Sequence, residues 1–278
     1  MIFRWRWIPL SDGSEVNSRI DTNVPHSARV WDYWLGGKEN YPVDREAGEA
    51  VLRHLPGIAL SARQDRAFLG RAVRFVAGNG IRQFLDLGTG LPTVDNTHEV
   101  AQRARPESRI VYVDNDPLVL LHARALLTST KEGACDYIQA DIRDTRAVLD
   151  GAAATLDLDR PVALMMLGVL NHILDDDEAH GLVADLLRGL APGSYLVISH
   201  TCDATTEELD GEAMRRAVRE VMERGGTPIR ARSPKEIEAL FGAARLLPPG
   251  VVSCSRWHPD PSPWPEPEVP HFSGVAAL

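Results

Sequence analysis

The sequence predicts a doubly wound α/β fold in which a mostly parallel, seven-stranded sheet follows an N-terminal helical cap. From residue 81 onward, short apolar runs alternate with helical stretches, as expected for parallel strands joined by crossover helices. The run 161–169 is almost wholly apolar, which is typical of a central strand buried on both faces. Upstream of the sheet, residues 26–80 show helical periodicity without a strand pattern.

The region before the sheet divides into two parts. Residues 1–25 show little periodicity and predict a flexible arm, whereas residues 26–80 predict a helical cap or lid. Asp44 is expected to cap one helix of this region. Ser61 and Gln64 are expected to form a capping box at the start of the next helix.

The sheet domain is expected to occupy residues 81–278, with a polar helical insertion near 201–234. The predicted strands are 81–87, 109–113, 136–140, 161–169, 194–199, 251–257 and 272–277. In such sheets the crossovers are right-handed, and ligands bind beyond the carboxyl ends of the strands, where the strand order reverses. The residues that follow each strand are therefore the candidates for chemistry.

Composition limits the classes of function. The chain has 30 basic and 39 acidic residues and a net charge of -9, so it lacks the positive surface that nucleic acid requires. No apolar stretch is long enough to span a membrane, and the first seven residues are too short and too rich in arginine for a signal-peptide core. Three widely spaced cysteines, Cys135, Cys202 and Cys254, favour a reducing compartment. We therefore expect a cytoplasmic protein without nucleic-acid or membrane partners.

Acidic residues follow three successive predicted strands. Asp86 opens a turn that contains Gly88 and Gly90, whose lack of a side chain lets a ligand approach the backbone closely. Asp114, at the end of the second strand, is placed to accept hydrogen bonds from the ribose hydroxyls of an adenosine ligand, and Asp141 from an adenine amino group. A tight strand–helix connection alone would also explain the glycine turn.

A metal site is not expected. The four consecutive acidic residues at 175–178 stand at a predicted helix start, where capping and the helix dipole explain them. Asp116 and Asp144 are likewise explained as helix caps.

Several segments resemble a known group of proteins. Residues 86–92, DLGTGLP, resemble the first motif of class I S-adenosylmethionine-dependent methyltransferases, although Pro92 stands where the motif usually has glycine. Residues 27–41, 91–100 and 111–117 are similar to a bacterial methyltransferase-like family long catalogued as a domain of unknown function. The similarity extends from about Ala28 to the C-terminus. It implies the class I methyltransferase-like Rossmann fold and S-adenosylmethionine as cofactor, but it names no methyl acceptor.

The resemblance also implies roles for individual residues. It puts Asp86, Gly88 and Gly90 beside the methionine part of the donor and Asp114 on the ribose. At the adenine it puts Asp141, Ile142 and Asn115.

The segment 29–41 mixes aromatic and basic side chains around a glycine pair and is interpreted as a lid over the donor. Its candidate binding residues are Arg29, Tyr33, Gly37 and Lys38, with the two cations placed for the donor carboxylate. The alternative is an amphipathic helix that ends at the glycine pair and buries its aromatic side chains in the core.

Two histidines near strand ends are candidate general bases. His172 follows the fourth strand and His200 the fifth, and an imidazole titrates near neutral pH. For each, a hydrogen-bonded structural role is the alternative.

The sequence therefore predicts methyl transfer from S-adenosylmethionine to a small molecule, enclosed between the cap, the loop after the fourth strand and the insertion. A donor-binding protein without catalysis is one alternative. The other is a nicotinamide-dependent oxidoreductase, which usually has a third glycine where Thr93 stands.

Overall fold

The computed structural model describes residues 21–126, 128–264 and 266–278. Most of the predicted N-terminal arm, residues 1–20, lies outside the described residues. The cap contains three helices, α1 (Ser27–Leu35), α2 (Pro42–Leu52) and α3 (Ile58–Gly78). The helices of the sheet domain are α4 (Thr97–Ala104), α5 (Pro117–Leu126), α6 (Thr145–Ala152), α7 (Asp176–Arg188), α8 (Gly211–Glu223) and α9 (Pro234–Ala239).

The predicted doubly wound sheet is confirmed. Its strands are β1 (Gln83–Leu87), β2 (Arg109–Asp114), β3 (Ala134–Gln139), β4 (Ala163–Leu167), β5 (Tyr195–Thr201), β6 (Arg245–Leu246), β7 (Val252–Ser253) and β8 (His271–Ala277). The order is β3-β2-β1-β4-β5-β8-β6, and β7 also pairs with β8. Strands β1 to β5 are parallel, whereas β8 runs antiparallel to β5.

The described residues form eight strands rather than the predicted seven. The predicted strand 251–257 pairs only at Val252–Ser253, because the chain then turns into a 3-10 helix at Cys254–Arg256. This turn brings Trp257 against α3, where its ring lies 5.3 Å from that of Phe68. The additional strand β6 has only two residues, too few to produce a periodic sequence signal.

Both faces of the sheet are buried, as continuous apolar strands require. Along β2, Val111 and Val113 face one core cluster, whereas Ile110 and Tyr112 face the other. Helix α3 covers the second face. Because strands β1 to β5 are parallel, their carboxyl ends lie at the same edge of the sheet. The loops at that edge are held in place by the two packed cores.

Two predicted helix starts in the cap differ from the structure. Helix α2 begins at Pro42, so Asp44 lies inside its first turn, where its carboxylate accepts from the backbone N–H of Tyr41. Helix α3 begins at Ile58, and Ser61 Oγ donates to the carbonyl of Gly57 rather than capping the helix. Elsewhere in the chain, the predicted caps Asp144 and Asp175 accept the expected backbone hydrogen bonds.

The cap and the insertion form a small core of their own above the sheet. Val51, Leu55 and Ile58 from the cap pack against Ala213 and Met214 of α8. The cap and α8 together cover the carboxyl ends of the strands. No helix within the described ranges is long and apolar enough to cross a membrane.

Candidate active site

A cavity of about 520 Å³ lies at the carboxyl edge of the sheet. Its floor is made by the ends of β1 to β5, and its roof by α1, α2 and α8. Strand β1 lies between β2 and β4, so the cavity stands where the strand order reverses. This is the position at which the fold is expected to bind a ligand.

The two glycines after β1 have different tasks. Both adopt positive φ, 68° at Gly88 and 65° at Gly90. A Cβ at Gly88 would collide with the side chain of Val169, so this glycine permits the loop after β4 to pack closely. A Cβ at Gly90 would meet nothing within 4 Å, because this residue faces the open cavity. The turn therefore presents bare backbone to a ligand at Gly90.

Asp114 connects the glycine turn to the end of β2. Its Oδ2 accepts from Gly90 N–H at 2.9 Å and its Oδ1 from Asp116 N–H at 3.0 Å. The side chain lines the cavity, and burial raises the pKa of its carboxyl. These backbone donors fix the orientation of the carboxylate while each oxygen retains capacity to accept a further hydrogen bond.

Asp86 is a buried carboxylate of the cavity wall. Its Oδ2 accepts a 2.6 Å hydrogen bond from Thr97 Oγ1 at the start of α4. Burial raises the pKa of Asp86 to about 6, although the Thr97 hydrogen bond and the nearby Arg66 guanidinium act in the opposite direction. An added positive charge in the cavity would therefore stabilise its ionised form.

The end of β3 supplies another side of the cavity. Asp141 and Ile142 line it together with Asn115 from the end of β2. Asp141 Oδ1 accepts from Arg143 N–H at 2.9 Å, which holds the loop in a tight turn. The structure thus places around one cavity the residues selected from the sequence at the ends of the first three strands.

The four cap residues selected from the sequence do not line this cavity. Arg29 is buried, and its Nε pairs at 2.9 Å with Asp44, which lies on α2. Tyr33 donates to Glu49, and Lys38 is exposed. Gly37 is required for another reason, since a Cβ there would collide with the Asp32 carboxylate. These side chains, like Gly37, build the cap rather than reach the cavity.

The cation in the cavity wall near the glycine turn is Arg66 on α3, which the sequence analysis did not select. Its Nη2 donates to Asn96 Oδ1 at 2.7 Å, and the guanidinium lies near enough to Asp86 to influence its pKa. The apolar periodicity of α3 predicts only which face of the helix is buried in the core. Nothing in the local pattern distinguishes Arg66 from a solvent-exposed arginine on a helix. Only the approach of α3 to the turn after β1 reveals it.

The two candidate histidines differ in their environments. His172 lines the cavity, and its Nδ1 donates to the carbonyl of Pro228 at 3.0 Å, which leaves Nε2 as the acceptor in the neutral ring. Burial lowers the pKa of His172. His200 is fully buried away from the cavity, with Nδ1 on the Thr201 carbonyl and Nε2 on Arg232. Burial lowers the pKa of His200 to about 3, which disfavours the protonated form of its ring.

The other half of the cavity, between the cap and α8, is apolar and aromatic. Its walls include Trp31, Trp34, Val51, Leu55, Ile58 and Met214. Two further buried carboxylates, Asp32 and Asp65, also line the cavity. The sequence signal for Asp65 is an acidic residue at a position where the helical periodicity of α3 expects an apolar one.

The cavity is acidic as a whole. Among the residues that the structure describes, five aspartates line it, against two arginines, Arg66 and Arg143, and no lysine or glutamate. Among the described residues, no group of three or more His, Cys, Asp or Glu side chains is arranged to hold a metal ion. The lining therefore favours an organic ligand with positive charge.

The fold and the cavity define the class of protein. An antiparallel strand beside β5, the glycine turn after β1 and a buried acid at the end of β2 together form the architecture of class I S-adenosylmethionine-dependent methyltransferases. A family model described as S-adenosyl methyltransferase matches residues 13–278. The chain belongs to this family, and S-adenosylmethionine is its cofactor. This assignment replaces the nicotinamide-dependent alternative.

Solved structures agree with the family assignment. A DUF574 family protein from Streptomyces avermitilis MA-4680 is 44% identical, with a TM-score of 0.85 over 93% of this chain and 99% of that one. A candidate methyltransferase from Thermobifida fusca YX is 40% identical, with a TM-score of 0.83 over 92% of this chain and 96% of that one. No curated protein matches the chain significantly.

Proposed function

We propose that the protein transfers the methyl group of S-adenosylmethionine to a small molecule held inside the cavity. The observation that carries this proposal is a partly covered cavity of about 520 Å³, which lies between the strand ends and helices α1, α2 and α8. Chambers of this size bury most of the surface of a small ligand. We place the protein in the cytoplasm, a reducing compartment that suits its three free thiols.

The donor is proposed to lie across the ends of β1, β2 and β3. Asp114 would accept hydrogen bonds from the ribose hydroxyls, and Gly90 would let the donor approach the backbone. Asp141 would accept from the adenine amino group, with Ile142 and Asn115 against the ring. The acidic lining fits a donor whose sulfonium and amino groups outweigh its single carboxylate.

The methionine end of the donor is proposed to meet Asp86 and Arg66. Their opposite charges match the amino group and the carboxylate of an amino acid. Arg66 thereby takes the part that the sequence analysis gave to Arg29 and Lys38. Tyr33 and Gly37 would contribute only by holding the cap in place.

When bound, S-adenosylmethionine supplies a methyl group already activated by the attached sulfonium. The chain must then align the acceptor with that group and exclude water, which the roof of α1, α2 and α8 would do. His172 is the candidate proton acceptor, because its Nδ1 donates to the Pro228 carbonyl while its Nε2 has no hydrogen-bond partner in the described part of the chain. His200 has no such role in this proposal, because both of its nitrogens are engaged.

The test is calorimetric titration of S-adenosylhomocysteine into the wild type and into Asp114→Ala. Two hydrogen bonds to a carboxylate are worth about 1.5–3 kcal/mol each, so we expect the variant to bind about 100-fold or more weakly. Asp150→Ala removes an exposed carboxylate on α6 and should bind as the wild type does. Unchanged affinity in Asp114→Ala would exclude this residue from the donor site.

The same titration distinguishes the two candidate cation sites. Arg66→Ala should weaken binding by about tenfold or more, because a charge-assisted hydrogen bond is lost. Lys38→Ala should bind normally, because this side chain is exposed outside the cavity. Normal binding by Arg66→Ala and weakened binding by Lys38→Ala would instead assign the donor carboxylate to the cap cation Lys38.

A further inference from the structure

A pair of buried polar side chains, Asp65 and His271, meets where α3 approaches β8, and Asp65 also lines the cavity. His271 opens β8 and is paired with Thr201 at the end of β5. Because β8 is three strands from β1 and strands are about 4.8 Å apart, His271 is displaced by about 14 Å from the glycine turn. Asp65 on α3 approaches His271, with Oδ1 and Nε2 3.6 Å apart.

Asp65 is 7% exposed, lines the cavity and lacks a strong partner. Its Oδ1 accepts a weak hydrogen bond from Cys254 Sγ at 3.7 Å, and 3.6 Å is too long for a hydrogen bond to His271. Within the described parts of the chain, its Oδ2 has no hydrogen-bond donor and no lysine or arginine pairs with it. A buried carboxylate in this state is costly unless a ligand compensates it.

His271 does not supply the missing charge. Burial lowers its pKa, although the nearby Asp65 acts in the opposite direction, so the ring is neutral near pH 7. Its buried Nε2 also has no hydrogen-bond partner among the described residues. Two unsatisfied polar groups therefore meet beside the apolar half of the cavity.

Aromatic rings surround this point. The Trp31 ring lies 5.5 Å from that of His271 and 5.8 Å from that of Trp34, and both tryptophans line the cavity. Indole faces attract cations and pack against flat rings. The walls beyond them are aliphatic, with Val51 and Leu55 from α2.

We infer that the methyl acceptor is a ring-bearing, mainly apolar small molecule with a protonated amine, and that Asp65 binds its ammonium group beside Trp31. Among the described lining residues, carboxylates exceed arginines by three, and the donor brings only one net positive charge. The inference rests on the proposed function, because it assigns β1 to β3 to the donor and the remaining space to the acceptor.

The experiment measures binding of amines and their neutral isosteres to the full chain saturated with S-adenosylhomocysteine. The probes are tryptamine and tryptophol, and phenethylamine and 2-phenylethanol, with indole-3-propionate as an anion. We expect at least one amine to bind about tenfold or more tightly than its alcohol, as a charge-assisted hydrogen bond predicts. Asp65→Asn should abolish this preference and leave S-adenosylhomocysteine affinity unchanged.

The matched control is Asp260→Asn, which removes an exposed carboxylate paired with Arg74 on the outer side of α3 and should keep the amine preference. Equal binding of amines and alcohols, binding of no amine, or tighter binding of the anion would overturn the inference. Loss of S-adenosylhomocysteine affinity in Asp65→Asn would also overturn it, because Asp65 would then belong to the donor site. Failure of the wild type to bind S-adenosylhomocysteine would instead overturn the proposed function.

Discussion

Buried carboxylates line this cavity, and their burial has an energetic cost. Asp86 and Asp114 both have a raised pKa because they are removed from water. Each is kept in position by specific donors, Thr97 Oγ1 for the first and two backbone N–H groups for the second. Residues held ionised against desolvation reduce stability but gain strength as partners of a cationic ligand.

The cost of Asp86 should appear as a pH dependence of stability. Its pKa is about 6 in the folded protein and about 3.8 in the unfolded chain, so the folded state holds the proton more strongly. The contribution of Asp86 to the free energy of unfolding is therefore fully present below about pH 4 and is lost as the pH rises through about 6. The free energy of unfolding of Asp86→Asn, taken relative to that of the wild type, should therefore rise by on the order of 2–3 kcal/mol from pH 4 to pH 7.

Urea unfolding at several pH values measures this difference. Asp150→Asn, on the exposed face of α6, serves as the control and should show a difference from the wild type that hardly changes with pH. A difference between Asp86→Asn and the wild type that is constant from pH 4 to pH 7 would contradict the raised pKa.

At the scale of elements, the cap depends on a buried ion pair between its first two helices. Arg29 of α1 donates to Asp44 of α2 at 2.9 Å and also to the carbonyl of Val24. Asp44 is fully buried and accepts from the backbone N–H groups of His26 and Tyr41 as well. The pair therefore fixes the angle at which α1 carries its tryptophans into the cavity.

Removing the cation of this pair should destabilise the protein strongly. Arg29→Met leaves the Asp44 charge buried without its partner, and breaking such a pair costs about 3 kcal/mol or more. Chemical unfolding with donor absent gives the change in free energy. Arg53→Met is the matched control, because the Arg53 side chain is exposed and its pair with Glu220 should contribute about 0.5 kcal/mol or less. Equal losses in the two variants would show that the buried pair has no special role.

At the scale of the whole molecule, segments distant in sequence close one chamber. The cap supplies α1 and α2, the insertion supplies α8, and their shared apolar cluster forms the roof. The net charge of -9 is a second, independent feature, because it opposes the approach of a phosphate backbone. Both features favour an acceptor that enters and is largely buried.

Methyl transfer should therefore reach metabolites and not macromolecules. The measurement presents tRNA, DNA, peptide arrays and a metabolite library with donor labelled in its methyl group. Label is expected in the metabolite fraction alone, and Asp114→Ala, which should lose donor binding, provides the background. Robust labelling of a macromolecule with none in metabolites would contradict the enclosed-acceptor model.

The sequence by itself determined the sheet and the strand-end residues. Apolar runs and intervening helices specify parallel crossovers, and these bring Asp86, Asp114 and Asp141 to one edge whatever the packing details. The helix caps Asp144 and Asp175 were also predictable, because a cap depends on a few neighbouring residues.

Only the tertiary structure decided which side chains of helices and loops face the cavity. Arg29 turned from the expected donor site into the buried pair with Asp44, and His200 is engaged by Arg232. Conversely, Asp65 and Arg66 on α3 reach the cavity because that helix packs beside the ends of β1 and β8. These outcomes depend on contacts between residues far apart in the chain, and helical periodicity alone does not contain that information.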